Sequence, residues 1–482
     1  MSEKNYTLLC DFYEITMANG FFELGKKDEI VYFDAFFRKV PDGAGFAIFA
    51  GLEEIIEYIK NLKFTSDDIE FLRNKNRFSQ DFLQYLETFK FTGDIFSIPE
   101  GTPIFPNEPV ITVRAPAIEA QFIETFLLLN FNHQSLIATK ANRIVRSAEG
   151  RPVFEFGSRR AHGRDAAVLG ARAAYIGGCS GTACTMADKD FSVTATGTMA
   201  HSFIQMFDSE YEAFLAYCKV YRDNVTLLVD TFNVLSSGVP NAIKAFKECG
   251  VKNCSIRIDS GDIKYLSIKA REMLDEAGLQ HCKIVASNAL DEMVIRDLIS
   301  KGAKVDSFGV GERLITAKSD SVFGGVYKLV AKEENGEIVP KIKVSENSGK
   351  STTPHYKKLY RLYSKKSGIA LCDAVCLFYE TISDTKPITL IDPVTSEKRV
   401  FKDFFVKELQ VPVFKGGKEV YSKPSIEEIK KRCEGEIKLL EKGITDLDTP
   451  DRYGVCLSES LYDIKEKLLQ KVKREKGGNL IE

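Results

Sequence analysis

Hydrophobic and polar positions along this chain change rhythm several times, and each rhythm predicts a different kind of element. Over residues 14–24 and 52–62 the apolar positions carry helical spacing, and 65–88 reads as two further short helices. The aromatic-rich stretch 31–38 alternates like a strand. Pro and Gly breaks between apolar alternations over 95–116 predict β-structure with turns. A long helical pattern follows from 118 to about 148, interrupted around 130–132 by asparagines.

From residue 152 short β-rich runs recur, at 153–156, 173–177, 191–195, 225–229, 255–258, 283–286 and 305–308. The gaps hold amphipathic segments such as 209–217, 241–249 and 264–277. Strands alternating with helices imply parallel pairing, and seven such runs suggest a barrel more than an open sheet. No repeat of fixed period is present, which excludes a solenoid. Further on, Asn335-Gly336 between two apolar runs predicts a hairpin. The polar stretch 345–356 is expected to be mobile, and 357–423 returns to short β-like segments. Ser425-Ile-Glu-Glu428 is a capping box opening a helix over 426–440, and a second helix is expected over 460–473. The basic end of that helix reads as a solvated terminus. The expected organisation is α/β. An α+β region over 1–135 is joined by 330–423, a barrel spans 136–329, and a helical extension spans 424–482.

Composition narrows the class. The 482 residues are 44% hydrophobic and 28% charged, as in an ordinary water-soluble globular chain. A net charge of −2 provides no global field for nucleic acid or an anionic membrane, so any anionic ligand must be held by local groups. The first residues show no signal-peptide pattern, and no apolar run approaches a membrane span. Eleven scattered cysteines without a CxxC pair argue against a zinc knuckle and predict reduced thiols in a cytoplasmic protein.

Polar groups gather where the predicted strands end. Phe156-Gly-Ser-Arg-Arg-Ala-His162 follows the first run, and Gly177-Gly-Cys-Ser-Gly-Thr182 the second. Thr198 and His201 follow the third, with Asp230-Thr231 after the fourth. Arg257-Ile-Asp-Ser-Gly-Asp262, Ser287-Asn288 and Gly309-Val-Gly311 complete the set. In a parallel barrel these tips share one rim, and together they point to a site for a phosphorylated sugar. Gly309-Val-Gly311 offers backbone N–H groups to a phosphate, although for the motif taken alone a tight turn is the better explanation of the glycines. Asp259 and Asp262 suit ribose hydroxyls or a Mg²⁺ ion on pyrophosphate, while Asp262 also suits a helix N-cap. Arg159, Arg160 and Arg257 supply planar cations, and Phe156 is either core or one wall around a flat ring. With only five histidines in the chain, His201 just past a strand tip stands out.

In their order these motifs resemble those of the nicotinate phosphoribosyltransferases, type II phosphoribosyltransferases. The matching residues are Leu8-Leu-Cys-Asp-Phe-Tyr-Glu-Ile-Thr-Met-Ala18, Phe36-Phe-Arg-Lys39, Phe156-Gly-Ser-Arg-Arg-Ala-His-Gly163 and Gly197-Thr-Met-Ala-His-Ser202. They continue with Arg257-Ile-Asp-Ser-Gly-Asp262, Gly309-Val-Gly311 and Phe323-Gly-Gly-Val-Tyr-Lys-Leu329. The resemblance implies an irregular α/β barrel with an α+β domain, in a homodimer whose active sites lie between subunits. It implies transfer of phosphoribosyl from phosphoribosyl pyrophosphate to nicotinate, coupled to ATP hydrolysis through a phosphorylated histidine, here His201, with Mg²⁺. Tyr13 would stack on the pyridine ring opposite Phe156. Arg257 and Thr198 would contact nicotinate, with Arg159 on the ring or phosphate side. Asp259 would hold the ribose, and Ser287, Asn288, Gly309 and Gly311 the 5′-phosphate. Arg38 would meet pyrophosphate.

Two positions depart from relatives. Nicotinamide-using relatives carry an acidic residue where Ala183 follows Gly181-Thr182, and removing that charge favours a carboxylate substrate. Glu312 follows the Gly-x-Gly where many relatives have Thr; it is expected to point away or pair with Arg313, and Thr316 is a candidate substitute. The alternatives are a nicotinamide phosphoribosyltransferase, a sugar-phosphate aldolase or isomerase, and a catalytically silent scaffold. No Schiff-base lysine or carboxylate base at a strand tip supports the second.

Overall fold

The computed structural model describes residues 5–344 and 351–475. Part of the stretch expected to be mobile, 345–350, lies outside them. The chain divides into two compact units, one formed by Leu136–Ser321 and the other by the rest.

Strands Val225–Leu228, Cys254–Ile258, Lys283–Ser287, Ser307–Val310, Val153–Glu155 and Gly181–Thr182 form the sheet of the Leu136–Ser321 unit, neighbours in that order. Every pairing is parallel. The order is a cyclic permutation of chain order: the earliest strand, Val153–Glu155, pairs with the latest, Ser307–Val310. Such closure of first onto last is the winding of a barrel, and the ladder is open between Gly181–Thr182 and Val225–Leu228. Alternation decides the faces. In Cys254–Ile258 the residues Cys254, Ile256 and Ile258 are buried, while Ser255 and Arg257 on the opposite face line a cavity of about 430 Å³. Helices Glu210–Val220, Val239–Cys249 and Ile263–Glu276 connect the strands.

Two expected strands are not strands. Residues 173–177 close the helix Arg164–Ile176, whose alanine-rich sequence favours helix throughout. A short apolar run there fits a buried helix as well as a strand. Residues 191–195 are also different: the helix Thr185–Phe191 ends at Ser192, which adopts φ 60°. The chain then runs beside Thr182, which donates from N to Thr194 O at 3.1 Å and accepts from Thr196 N at 2.7 Å. A single parallel bridge, Thr182 to Ala195, is all that forms. The alternation there is real but too brief for a ladder.

The second unit holds a seven-stranded antiparallel sheet centred on Ile30–Phe36 and Ile111–Pro116, and a six-stranded sheet centred on Ala370–Leu377. The hairpin at Asn335-Gly336 joins Val326–Glu334 to Glu337–Pro340. The expected interruption near 130–132 falls instead at Ile123, between Ala117–Phe122 and Glu124–Ser147. Asn130 is accommodated within the helix because its side-chain amide donates to Phe126 O at 3.0 Å. Ser425 and Glu428 form the reciprocal cap of Ile426–Lys438. The C-terminal segment is more than helices. Its strand Val455–Ser458 inserts between Ala370–Leu377 and Ile388–Ile391.

One buried carboxyl in this unit yields a pH prediction. Glu14, on helix Phe12–Glu23 next to Tyr13, is fully buried and accepts a hydrogen bond from Thr125 Oγ1. Burial pushes its pKa up to about 7 from an ordinary 4.5. Between those two values the folded chain holds a proton that the unfolded chain has released, so stability falls as pH rises through that window. Glu14→Gln should flatten the fall, read as melting temperatures at about pH 5 and 7.5; an unchanged slope would refute it.

Candidate active site

Arg257 is the best-defined cation of the parallel sheet. Its side chain is only 14% exposed, and its Nη1 donates to Thr198 Oγ1 at 2.9 Å. Its Nη2 lies 3.6 Å from Asp259 Oδ1. Its Nε is buried and makes no hydrogen bond. A planar donor group is thus held at one edge by Thr198 and Asp259 on the lining of the cavity, and a guanidinium so placed is complementary to a carboxylate.

Phe154 and Phe156 line the same cavity, their rings 6.2 Å apart and 23° from parallel. Glycine at 309 is a steric requirement: a Cβ there would come within 2.5 Å of the Phe156 ring. The aromatic wall therefore exists because the neighbouring strand has no side chain at that point.

Asp259 accepts from Ser287 Oγ, so two adjacent strand ends are tied together. A third joins through Asp230, whose Oδ2 accepts from Asp259 N at 3.2 Å and Ser260 Oγ at 2.6 Å. Asp230 Oδ1 is buried without a hydrogen-bond partner. His201 opens the short helix His201–Gln205, with Nδ1 3.1 Å from Thr231 Oγ1. That contact anchors one ring nitrogen and leaves Nε2 for other chemistry.

The glycine-loop residues lie on neighbouring strand ends. Ser287 is buried, and Asn288 is exposed with φ 100°. Gly309 belongs to Ser307–Val310, and Gly311 precedes the short helix Glu312–Ile315. Glu312 does not pair with Arg313 as one option had it. It meets Lys318 Nζ at 2.7 Å and Arg160 at 4.0 Å, while Arg313 pairs with Asp291. Lys318 holds the Glu312 carboxyl below the usual range. The Thr316 hydroxyl donates to Glu312 O at 2.7 Å and is committed to the backbone. Asp262 accepts from Tyr265 N at 3.1 Å as a helix N-cap and is exposed. Arg159 is exposed in the turn Ser158–Arg160. Tyr13 and Arg38 belong to the other unit, Tyr13 exposed on its helix and Arg38 half-buried after strand Ile30–Phe36.

Two contributors were not singled out from sequence. Glu155 is fully buried and accepts from Gly157 N and, at 2.6 Å, from Thr182 Oγ1, linking the exits of two strands. Burial raises its carboxyl pKa. A lone acid inside Val-Phe-Glu-Phe, on the face opposite the two phenylalanines, was the available signal. Thr231 was visible only as a strand tip.

Parallel strands that wind first onto last, with an arginine, carboxylates and close-approach glycines at their ends, define the type II phosphoribosyltransferase class. Residues 8–132 match the nicotinate phosphoribosyltransferase N-terminal domain model, and 356–465 match the C-terminal domain model. A nicotinate phosphoribosyltransferase of Bacillus subtilis is 42% identical over 474 residues, covering 98% of this chain and 96% of the relative. One from Dictyostelium discoideum is 32% identical, over 96% and 88%. The crystal structure of human nicotinic acid phosphoribosyltransferase superposes with a TM-score of 0.85 at 26% identity, covering 96% of this chain and all of that one. The chain belongs to the nicotinate phosphoribosyltransferase family.

Proposed function

We propose that this chain transfers phosphoribosyl from 5-phosphoribosyl 1-pyrophosphate to nicotinate, giving nicotinate mononucleotide and pyrophosphate, the first step of NAD salvage from nicotinate. ATP is hydrolysed to ADP and phosphate alongside. The observation that carries this reading is Arg257, held by Thr198 and Asp259 on the lining of a cavity that Phe154 and Phe156 also line. An aromatic ring bearing a carboxylate satisfies both the wall and the cation. Ala183, which follows the strand Gly181–Thr182, presents no acid to repel it.

The pyridine nitrogen attacks C1 of the ribose as the C1–O bond to pyrophosphate breaks, through an oxocarbenium-like transition state. Positioning and charge stabilisation supply most of the catalysis. Asp259 holds a ribose hydroxyl, and Ser287, Asn288, Gly309 and Gly311 hold the 5′-phosphate, with Arg159 open to ring or phosphate. His201 takes phosphate from ATP, and its added charge reorganises the loop until hydrolysis releases product.

Among the described residues no cluster of three or more acids, histidines or cysteines forms a metal cage. The donors fit Mg²⁺ held chiefly by pyrophosphate oxygens, with Asp230, whose Oδ1 is orphaned, and Asp259 at hand; Asp262 is largely occupied as a cap. Bound there, the ion would neutralise leaving-group charge. A homodimer in which the partner's Tyr13 and the partner's Arg38 complete the site accounts for the family motifs placed in the other unit. No disulfide joins any of the eleven cysteines, which supports a cytoplasmic setting. No described helix is long and apolar enough to cross a membrane.

The test is turnover of nicotinate against nicotinamide, with and without ATP, in the wild type and His201→Ala. Nicotinate should be preferred, and ATP should stimulate the wild type only. Undiminished stimulation in the variant would sink the phosphohistidine role, and preference for nicotinamide the substrate.

A further inference from the structure

Two cysteines face each other at the end of the parallel sheet where its strands begin, opposite to the rim that carries Asp259 and Ser287. Cys254 opens the strand Cys254–Ile258, and Cys282 immediately precedes the strand Lys283–Ser287. These strands pair in parallel with Lys283 opposite Ser255, so one residue earlier Cys282 stands opposite Cys254. Neighbouring strands run about 4.8 Å apart, and a disulfide accepts Cα separations of about 4.4–6.8 Å, so a bond between the two needs little movement of the backbone. Alternation sends both side chains to the same face, Cys254 with Ile256 and Ile258, Cys282 with Ile284 and Ala286. Both are free thiols.

The surroundings make the two unequal. A hydrogen bond from Cys282 lowers the Cys254 pKa, and the Arg271 charge adds to the effect. The same hydrogen bond, with burial, raises that of Cys282. Arg271 is fixed in place, donating from Nη1 to Cys282 O at 2.6 Å and from Nη2 to Leu279 O at 2.8 Å. His281 Nε2 lies 3.8 Å from Cys254 Sγ, and His281 is exposed, so Cys254 sits just beneath the surface. One thiol beside cationic groups and a protonated partner within bonding reach are the nucleophile and resolving thiol of a reversible oxidation site.

We propose that Cys254 and Cys282 form a thiol oxidation site, Cys254 reacting first with hydrogen peroxide and Cys282 resolving the product as a disulfide. The Cys254 thiolate attacks one peroxide oxygen; an S–O bond forms, the O–O bond breaks, and the departing hydroxide takes a proton to become water. The Cys282 sulfur then attacks the sulfenic acid sulfur of Cys254. The S–S bond forms, the S–O bond breaks, and the Cys282 proton leaves with the hydroxide as a second water. The two sulfurs lose two electrons in all, and peroxide gains them. A transient bond of this kind suits a reducing compartment. It would tie, where they begin, the same two strands that Asp259 and Ser287 join where they end.

The experiment exposes the native full-length protein to hydrogen peroxide, blocks remaining thiols with iodoacetamide under denaturing conditions, and maps tryptic peptides by mass spectrometry. Peptides 253–257 and 272–283 should appear linked, and dithiothreitol should separate them. Cys282→Ser should stall Cys254 as the sulfenic acid, captured by dimedone. Cys254→Ser should abolish the linkage and slow oxidation of Cys282 about tenfold. The wild-type measurement stands without either variant. Oxidation of the half-buried Cys249 with no linkage of Cys254 to Cys282, or linkage of Cys254 to its neighbour Cys218 in place of Cys282, overturns the proposal. So does a Cys254 that dimedone never captures in Cys282→Ser.

Discussion

Arg257→Ala should lower kcat/KM for nicotinate by about a thousandfold, with nicotinamide turnover changed far less. The side chain is mostly enclosed, so water cannot replace the lost N–H groups at full strength. Truncating one partner of a buried, hydrogen-bonded charge pair costs about 2–5 kcal/mol, and about 4 kcal/mol is a factor of roughly a thousand in rate. The variant also releases Thr198, whose hydroxyl loses its 2.9 Å donor, and Asp259, whose cation 3.6 Å away disappears. Ribose positioning should therefore suffer along with ring binding, and kcat should fall as well as KM rise. Arg257→Lys keeps the charge but cannot offer a planar pair of donors, and should recover about a tenth of the loss or less in free energy. Steady-state kinetics with both substrates checks this. A variant that loses nicotinate and nicotinamide turnover equally would mean that Arg257 supports the fold of the site and does not read the carboxylate.

That Arg257 could be found at all from residues follows from strand chemistry. Arg257-Ile-Asp-Ser-Gly-Asp262 places two polar groups on one face of a strand and a glycine turn at its end, and the structure has Cys254–Ile258 ending there. His201 was located correctly past an extended segment, although that segment is one bridge and two hydrogen bonds, not a strand. Periodicity cannot separate a short apolar run in a strand from one in a buried helix, which is why residues 173–177 were misplaced. Contacts between distant residues were beyond local patterns. Nothing near Glu312 in sequence announces that Lys318 takes its charge while Arg313 turns to Asp291. Glu155 is the clearest case: its partners, Gly157 and Thr182, belong to two different strand exits, and only the parallel pairing of Phe154 with Gly181 brings them together.

Asp373→Asn should destabilise the sheet-rich unit by about 3 kcal/mol, and the loss should grow when Glu108→Gln is added. Arg361 and Asp373 are both fully buried and joined by two 2.7 Å hydrogen bonds, from Nε and Nη2. Tyr453 donates to the same carboxylate at 2.7 Å. Removing the charge on Asp373 leaves a guanidinium in the interior, a defect that ordinarily costs about 3–5 kcal/mol. Here a reserve exists. Glu108 is also fully buried, and burial together with the Asp373 charge raises its pKa well above the ordinary range, which favours its neutral form beside the pair. Once Asp373 is neutral, that repulsion is gone and Arg361 draws Glu108 toward its charged form, which compensates part of the loss. Glu108→Gln alone should then cost under about 1 kcal/mol, since it replaces a neutral group with another. Combined with Asp373→Asn it should remove the reserve and exceed the sum of the single effects by about 1–2 kcal/mol. Chemical denaturation of the four proteins at pH 7 measures that coupling directly. Strict additivity would show that Glu108 does not take up the charge, and that Arg361 finds its compensation elsewhere.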